Sequence, residues 1–344
     1  GEAYTRGDWS CDDLPMLVRL MLQNRSVLDD IEGGLSLLAV PVRKVLHWAN
    51  RNTRDGSRRN IAAHYDLGNA FFSTFLDETM TYSAGVFEDE HTSMVDASHA
   101  KLDRLCRKLD LRPGEHLVEI GTGWGSMAIH AAREFGCRVT TTTISERQHE
   151  LAVERVRAAG LEDRVEVLLR DYRDLEGQYD KLVSVEMIEA VGHNFLPTYM
   201  ATCGTLLKPG GLAALQIITI QDQEYERALR EVDFIKRHVF PGCFIPSLTA
   251  VLEATTKASD LRLFHMEELA PHYERTLKIW RETFLERADE LDAMGYDATF
   301  RRLWEFYLAY CEGGFAERYL GLAQLVFAKP EARREPLAPS LVPG

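Results

Sequence analysis

A glycine-rich stretch at residues 119–125, Glu-Ile-Gly-Thr-Gly-Trp-Gly, contains the residue types that best suit a cofactor site. It directly follows a short apolar run, HLVEI at 116–120, and opens a helical run. Because Gly121 and Gly123 have no Cβ atom, the backbone can turn sharply and lie against a ligand there, while Gly125 lets helix and strand approach closely. The spacing predicts a nucleotide-type cofactor, although dinucleotide-binding enzymes and methyltransferases both use such a turn.

Polar residues after the following strands distinguish between these two classes of enzyme. A nicotinamide dehydrogenase would place a ribose-binding acid after the second strand, but the sequence there is Thr143-Ile144-Ser145. That strand end suits the ribose or amino-acid tail of S-adenosylmethionine, and Asp171 with Tyr172 suits its adenine. We therefore predict that the chain is an S-adenosylmethionine-dependent methyltransferase. The predicted cofactor contacts here are Glu119, Gly121, Gly123, Gly125, Thr143, Ile144, Gln148, Asp171 and Tyr172.

Apolar runs alternate with helical patterns from about residue 95 onward. Continuous apolar runs suit strands buried on both faces, and their alternation with helices implies parallel pairing. We predict an α/β fold of the Rossmann type, with the mostly parallel, doubly wound, seven-stranded sheet of a class I methyltransferase. The predicted strands are 116–120, 137–144, 165–171, 181–187, 212–220 and 322–329, and the predicted helices include 96–109, 126–136, 146–160, 221–238, 275–293 and 299–312.

Two domains are predicted. Residues 1–59 form a small, mainly helical N-terminal domain and a basic linker, and residues 60–344 form the methyltransferase domain, with helical insertions at about 221–315. Because the chain opens with Gly1 rather than a start methionine, we expect the N-terminal domain to be incomplete.

Helical spacing of apolar residues within the N-terminal domain predicts helices at 14–23 and 35–49. Between Arg43 and Arg59, six basic residues stand against one acid, Asp55. This segment is either a solvated connector or a contact for phosphate headgroups, where each basic residue adds about 1 kcal/mol of attraction.

The composition excludes some classes of function. A net charge of −13 argues against a nucleic-acid-binding protein, which needs a basic surface. The six cysteines lie far apart without metal-ligand spacing, which predicts reduced thiols and no metal site. No run approaches the roughly 20 apolar residues of a membrane span, and no secretory signal is visible. We therefore expect a cytoplasmic protein whose membrane contact is peripheral.

Ordered motifs along nearly the whole chain resemble the cyclopropane-fatty-acyl-phospholipid synthase family, which includes the mycolic-acid methyltransferases. The segment G-E-A-Y-T-R-G-D-W-S-C-D-D-L at 1–14 resembles the N-terminal domain of the bacterial synthases. Further matches, in order, are N-I-A-A-H-Y-D-L-G-N-A-F-F (60–72), F-L-D-E-T-M-T-Y-S (75–83), M-I-E-A-V-G (187–192), F-P-G-C (240–243), H-Y-E-R-T-L (272–277) and Y-C-E-G-G-F (310–315).

This resemblance implies transfer of a methyl(ene) group to the double bond of an unsaturated acyl chain of a membrane phospholipid. The alkene is a weak nucleophile, and its methylation creates a carbocation that must then lose a proton. The protein must therefore orient the reactants, exclude water and supply negative charge or a base. The insertions at 221–315 would form the lipid site, the enzyme would work at the inner face of the cell membrane, and a homodimer is possible.

The resemblance also implies the site residues. Family members hold a bicarbonate through a Cys, a Glu, a His, a Tyr and a backbone amide. Glu189 and Tyr273 match the Glu and the Tyr, and Ile218 lies where the amide is expected. Tyr82 and Ser83 match a cofactor-binding segment, but Ala84 replaces the Cys and Gln216 stands where the His is expected. The implied catalytic residues are Glu189, Tyr273 and Gln216.

The two departures leave three outcomes open, because glutamine can hydrogen-bond an anion but cannot relay a proton near neutral pH. Bicarbonate binds through the three remaining side chains, or Glu189 is itself the base, or the cation resolves to a methylated or methylene chain instead of a ring. Two other functions compete with lipid C-methylation. They are a methyltransferase for a small-molecule or headgroup amine, and a lipid-binding relative without activity.

Overall fold

A seven-stranded sheet lies at the centre of the structure. The computed structural model describes residues 1–25, Gly56 and 67–335. Its strands are β1 (His116–Ile120), β2 (Arg138–Thr143), β3 (Val165–Leu169), β4 (Tyr179–Val185), β5 (Leu207–Ile220), β6 (Arg262–Glu268) and β7 (Leu320–Ala328). Their order is β3-β2-β1-β4-β5-β7-β6. The pairs from β3 to β5 are parallel, and β7 runs antiparallel to both of its neighbours.

Helices follow most strands and also form the segment between β5 and β7. Those before β5 are α1 (Glu2–Thr5), α2 (Leu14–Gln23), α3 (Asn69–Phe72), α4 (Met94–Lys108), α5 (Ser126–Glu134), α6 (Glu146–Ala158) and α7 (Leu196–Leu206). Those after β5 are α8 (Asp222–Arg230), α9 (Phe234–His238), α10 (Leu248–Ala258), α11 (Ala270–Glu286), α12 (Ala288–Ala293) and α13 (Ala298–Ala316). None of the helices in these described residues is long and apolar enough to cross a membrane.

Both faces of the sheet are covered by helices. Leu117 and Val183 point to one face, where they join a core that contains residues of α4 and α5. Val118 and Leu182 point to the other face and join a core that contains Tyr199 and other residues of α7. Because neighbouring residues of a strand point to opposite faces, both must be apolar in a strand covered on two sides. This requirement explains the continuous apolar runs, and the predicted α/β fold is confirmed.

Two of the predicted helices are wrong in extent. The predicted helix 221–238 is broken into α8 and α9, because Asp233 accepts a hydrogen bond from the amide of Lys236 and begins a new helix. The predicted helix 275–293 likewise begins earlier and is divided at Arg287 into α11 and α12.

The sequence interpretation missed five elements, which are the short helices α1 and α3, the longer helices α7 and α10, and strand β6. Strand β6 lies at the edge of the sheet and is mostly exposed, so its apolar pattern is weak. Helices α7 and α10 were not predicted, although Pro197 is compatible with the first turn of α7. The predicted helix 35–49 and the basic segment 43–59 lie outside the described residues, apart from Gly56.

The first two helices pack on α13. The hydroxyl of Tyr4 donates to Glu305, and the guanidinium of Arg302 donates to the carbonyl oxygen of Tyr4, at 2.7 and 2.6 Å. Farther along, Gly313 faces α2 so closely that a Cβ atom there would lie 2.7 Å from Cγ1 of Val18. The two helices therefore touch at a position where only glycine fits.

We expect Gly313→Ala to destabilise the protein. Alanine usually stabilises a helix relative to glycine by up to about 1 kcal/mol, but here its methyl group would overlap Val18 and Pro15. Overpacking should lower the free energy of unfolding by about 1–3 kcal/mol in chemical denaturation. The matched control is Gly314→Ala, whose Cβ would meet only the end of the Leu320 side chain, at 3.1 Å. A Gly313→Ala protein as stable as the wild type would contradict this packing.

Candidate active site

A cavity of about 650 Å³ opens at the carboxyl ends of β1, β2 and β4. Doubly wound sheets bind their ligands at this edge. Gly125 and Gln216 lie behind the cavity wall, and the other predicted site residues line it. The lining members are Tyr82, Ser83, Glu119, Gly121, Gly123, Thr143, Ile144, Gln148, Asp171, Tyr172, Glu189 and Tyr273.

The glycine-rich turn forms one wall of the cavity. Gly121, Gly123 and Gly125 have φ angles of 101°, 52° and 91°, in the left-handed region that favours glycine. A Cβ at Gly121 would lie 3.0 Å from Cγ of Met187, whereas a Cβ at Gly123 would meet no atom within 4 Å. Gly123 lines the cavity, so a cofactor can approach its backbone in this open space. The turn therefore fits S-adenosylmethionine.

Glu119 and Ser83 each have a buried partner behind the turn. Glu119 accepts a 2.6 Å hydrogen bond from the hydroxyl of Thr141. The buried ammonium of Lys101 donates to the hydroxyl of Ser83 at 2.8 Å. Burial raises the pKa of Glu119 to about 8, and the Thr141 hydrogen bond and the charge of Lys101 oppose that rise. Lys101 was not predicted, because a single lysine on a helix normally faces solvent.

The strand ends that should hold the ribose and adenine are also arranged by hydrogen bonds. The hydroxyl of Thr143 donates to Oε1 of Gln148 at 2.8 Å. The guanidinium of Arg173 donates to both carboxylate oxygens of Asp171, at 2.8 and 2.6 Å. Asp171 is therefore held by an arginine that the sequence interpretation missed, and Tyr172 packs edge-on against Tyr199.

Two glutamates, Glu186 and Glu189, lie side by side on the cavity wall after β4. The backbone amide of Ile218 donates to Oε1 of Glu189 at 2.6 Å. Its Oε2 atom is buried and has no hydrogen-bond partner among the described residues. Burial, followed by the negative charge of Glu186, raises the pKa of Glu189 to about 8. The amide implied as an anion ligand therefore binds Glu189.

Glu186 was missed by the sequence interpretation, which included it in the predicted strand 181–187. Its carboxylate accepts hydrogen bonds from the hydroxyl of Tyr273 at 2.5 Å, the side-chain amide of Gln216 at 2.7 Å and the backbone amide of Ala84 at 3.1 Å. The sequence does contain one indication, since a charged residue ends an otherwise apolar strand. Tyr273 and Gln216 are thus brought together as expected, but around Glu186 instead of Glu189.

A row of polar side chains crosses the sheet behind Glu186. In the strand register, Gln216 of β5 lies opposite Gln324 of β7, which lies opposite Glu267 of β6. Gln324 donates to Oε1 of Gln216 at 2.8 Å and accepts from Lys108 at 2.6 Å, and Lys108 also donates to Glu267 at 2.6 Å. An ammonium group can only donate, so Lys108 sets the orientation of both amides and directs the NH₂ group of Gln216 towards Glu186.

The remaining walls are largely apolar and come from the segment between β5 and β7. Phe240 and Phe244 line the cavity with Tyr307 and Tyr310 of α13. In contrast, Phe71 and its neighbours Phe72, Phe75 and Trp304 belong to the buried core. The aromatic residues of this region therefore include buried core residues and residues that line the cavity.

Comparison with known proteins identifies the family of this chain. The family model for mycolic acid cyclopropane synthetase matches residues 52–325. The chain belongs to this family. It is 41% identical to the tuberculostearic acid methyltransferase of Mycobacterium tuberculosis, over 94% of this chain and 77% of that one. It is 34% identical to the cyclopropane-fatty-acyl-phospholipid synthase of Escherichia coli, over 96% and 82% of the two chains.

A solved structure from the family shares the fold. It is the mycolic acid cyclopropane synthase CmaA1 complexed with SAH and CTAB, with a TM-score of 0.74 and 29% identity over 79% of this chain and 98% of that one. The family consists of S-adenosylmethionine-dependent enzymes that methylate or cyclopropanate lipid acyl chains. The predictions of family, enzyme class and cofactor are confirmed.

We expect Gly123→Val to abolish S-adenosylmethionine binding, because the side chain would enter the open space beside the turn. Isothermal titration calorimetry measures the loss. The control is Gly114→Val, since Gly114 has a similar positive φ and no atom within 4 Å of its Cβ position, but does not line the cavity. Gly114→Val should lower stability and keep binding. Normal binding by Gly123→Val would place the cofactor elsewhere.

The raised pKa of Glu189 predicts a pH-dependent stability. Between pH 4.5, where the free side chain ionises, and about pH 8, the folded protein keeps a proton on Glu189 that the unfolded chain releases. The free energy of unfolding should therefore fall as the pH rises through this range. Glu189→Gln should flatten the fall, as measured by urea unfolding at several pH values. The same slope as in the wild type, or the same flattening in the exposed Glu166→Gln control, would contradict this assignment.

Proposed function

We propose that this enzyme transfers a methyl(ene) group from S-adenosylmethionine to the double bond of an unsaturated acyl chain of a membrane phospholipid. The product is a cyclopropane or a methyl- or methylene-branched chain, formed through a carbocation. One observation carries the proposal. A single cavity runs from the glycine-rich turn past two carboxylates to an apolar wall, so a methyl donor and a hydrocarbon chain can meet beside negative charge.

The lining residues support this chemistry. S-adenosylmethionine supplies an electrophilic methyl group to a substrate that binds beside it. The aromatic and aliphatic wall holds a hydrocarbon chain and excludes water that would quench a cation. The carboxylate of Glu186 and the ring of Tyr273, whose hydroxyl donates to that carboxylate, lie on the same wall and favour positive charge on the substrate.

The position of α2 supports a membrane source for the acyl chain. Met16, Leu20 and Met21 of this helix are 43, 49 and 50% exposed. Met21 and Leu22 also line the cavity. An exposed apolar surface beside an apolar cavity is suited to contact with the lipid interface, from which a chain can enter without crossing water. We propose that this peripheral contact occurs at the inner face of the membrane.

Lipid methylation is tested with radiolabelled S-adenosylmethionine and vesicles of a monounsaturated phosphatidylethanolamine. We expect label in the fatty acids after hydrolysis and a mass increase of one CH₂ in the acyl chain. Vesicles with the same headgroup and saturated chains should remain unlabelled. Label in the headgroup, or transfer only to added small amines, would overturn the proposal in favour of an N-methyltransferase. S-adenosylmethionine binding without transfer to any of these acceptors would favour a lipid-binding protein.

A further inference from the structure

We propose that Glu186 is the base of this enzyme, a carboxylate of the chain itself that takes the place of a bound anion. This inference rests on the proposed function, since it concerns the proton that the methylated acyl chain loses. Glu186 lines the cavity beside Glu189. Two of the three side chains that the family resemblance implies as anion ligands, Tyr273 and Gln216, donate hydrogen bonds to it.

The surroundings of Glu186 are built for a negative charge. A hydroxyl, a side-chain amide and a backbone amide meet its two oxygen atoms. Burial raises the pKa of Glu186, and these three donors together with the buried ammonium of Lys101 oppose that rise. The polar row from Lys108 through Gln324 fixes the orientation of the Gln216 amide, so the donor cannot turn away. Donors arranged in advance stabilise an anion without reorganisation.

Glu189 is less suited to the same task. It receives one hydrogen bond, from the amide of Ile218, while the charge of Glu186 opposes its ionisation. Two neighbouring carboxylates with unequal donors do not ionise equally. The donors therefore favour ionisation of Glu186 over ionisation of Glu189.

The backbone at Glu186 gives an independent indication. Its φ angle is +49°, in the left-handed region that residues with a Cβ adopt at a cost of about 1–3 kcal/mol. Such strain persists where the surroundings require one side chain at one place, and functional sites are the usual location. Glycine would suit this backbone better, so a glutamate here supports a function for its carboxylate.

The two departures from the family pattern fit this assignment. The residue in the place of the cysteine is Ala84, which has no side-chain donor, and its backbone amide binds Glu186. Gln216 carries no positive charge and serves Glu186 as a neutral donor. Because Glu186 already occupies these donors, a bicarbonate placed there would lack them and would be repelled by the carboxylate.

The proton step balances without a further reactant. A C–H bond of the newly added methyl group breaks, and its electron pair forms a bond to the cationic carbon of the acyl chain, closing a cyclopropane ring. The proton passes to the carboxylate of Glu186. The cation becomes a neutral product, and Glu186 becomes a carboxylic acid that releases its proton before the next turnover.

The test compares Glu186→Gln with Glu186→Gly, in which glycine suits the positive φ and leaves room for an added anion. Both variants should bind S-adenosylmethionine as the wild type does in calorimetry and should lose kcat by about 100-fold or more. Bicarbonate or formate should restore part of the activity of Glu186→Gly and none of that of Glu186→Gln. The control is Asp110→Gly, which also replaces a residue of positive φ, outside the cavity, and should keep full activity.

Anion binding provides a readout that needs no turnover. Carbon-13 NMR of labelled bicarbonate should show binding to Glu186→Gly and none to the wild type. Wild-type turnover on unsaturated vesicles should also be unchanged when bicarbonate is removed. Bicarbonate binding by the wild type, or wild-type kcat in Glu186→Gln, would overturn the role of Glu186. An inactive wild type that still differs from Glu186→Gly in anion binding would overturn the proposed substrate and support Glu186 as the occupant of the anion site.

Discussion

The enclosure of two neighbouring carboxylates beside one cavity is the constraint on which the rest of the site depends. Two charges of the same sign repel strongly where water is excluded, so the protein must favour ionisation of one and disfavour that of the other. It does so by giving Glu186 three hydrogen-bond donors and Glu189 one. The helices between β5 and β7 form the apolar wall of the cavity that both carboxylates line.

The topology of the sheet supplies the donors. Because β7 is inserted antiparallel between β5 and β6, residues far apart in sequence become neighbours in a single row. Gln216, Gln324 and Glu267 lie in register across three strands, and Lys108 reaches the row from α4. A buried polar group needs a hydrogen-bond partner. In this row, Lys108 donates to Gln324, Gln324 donates to Gln216, and Gln216 donates to Glu186. The register of these three strands therefore determines which donor faces the carboxylate of Glu186.

The sequence predicted the fold and the cofactor turn because both depend on local patterns. Continuous apolar runs reveal strands covered on two sides, and glycine spacing reveals a turn that a ligand can approach. The partners of the polar site could not be predicted in this way. Glu186 looked like the end of a strand, Lys101 and Lys108 looked like solvent-facing lysines, and the pairing of Gln324 with Gln216 depends on strand register. Edge strand β6 was also missed, because most of its residues are exposed and its apolar pattern is weak.

The polar row behind Glu186 also means that these residues can be introduced into another protein only as a complete set. If Glu186 and Gln216 were introduced into a relative without Lys108 and Gln324, the glutamine amide could take either of two orientations. In one of them its carbonyl oxygen would face the carboxylate, acceptor against acceptor, and the base would lose a donor and gain a repulsion. An engineered exchange between an internal base and a bound anion therefore has to include Lys108 of α4 and Gln324 of β7, which do not line the cavity.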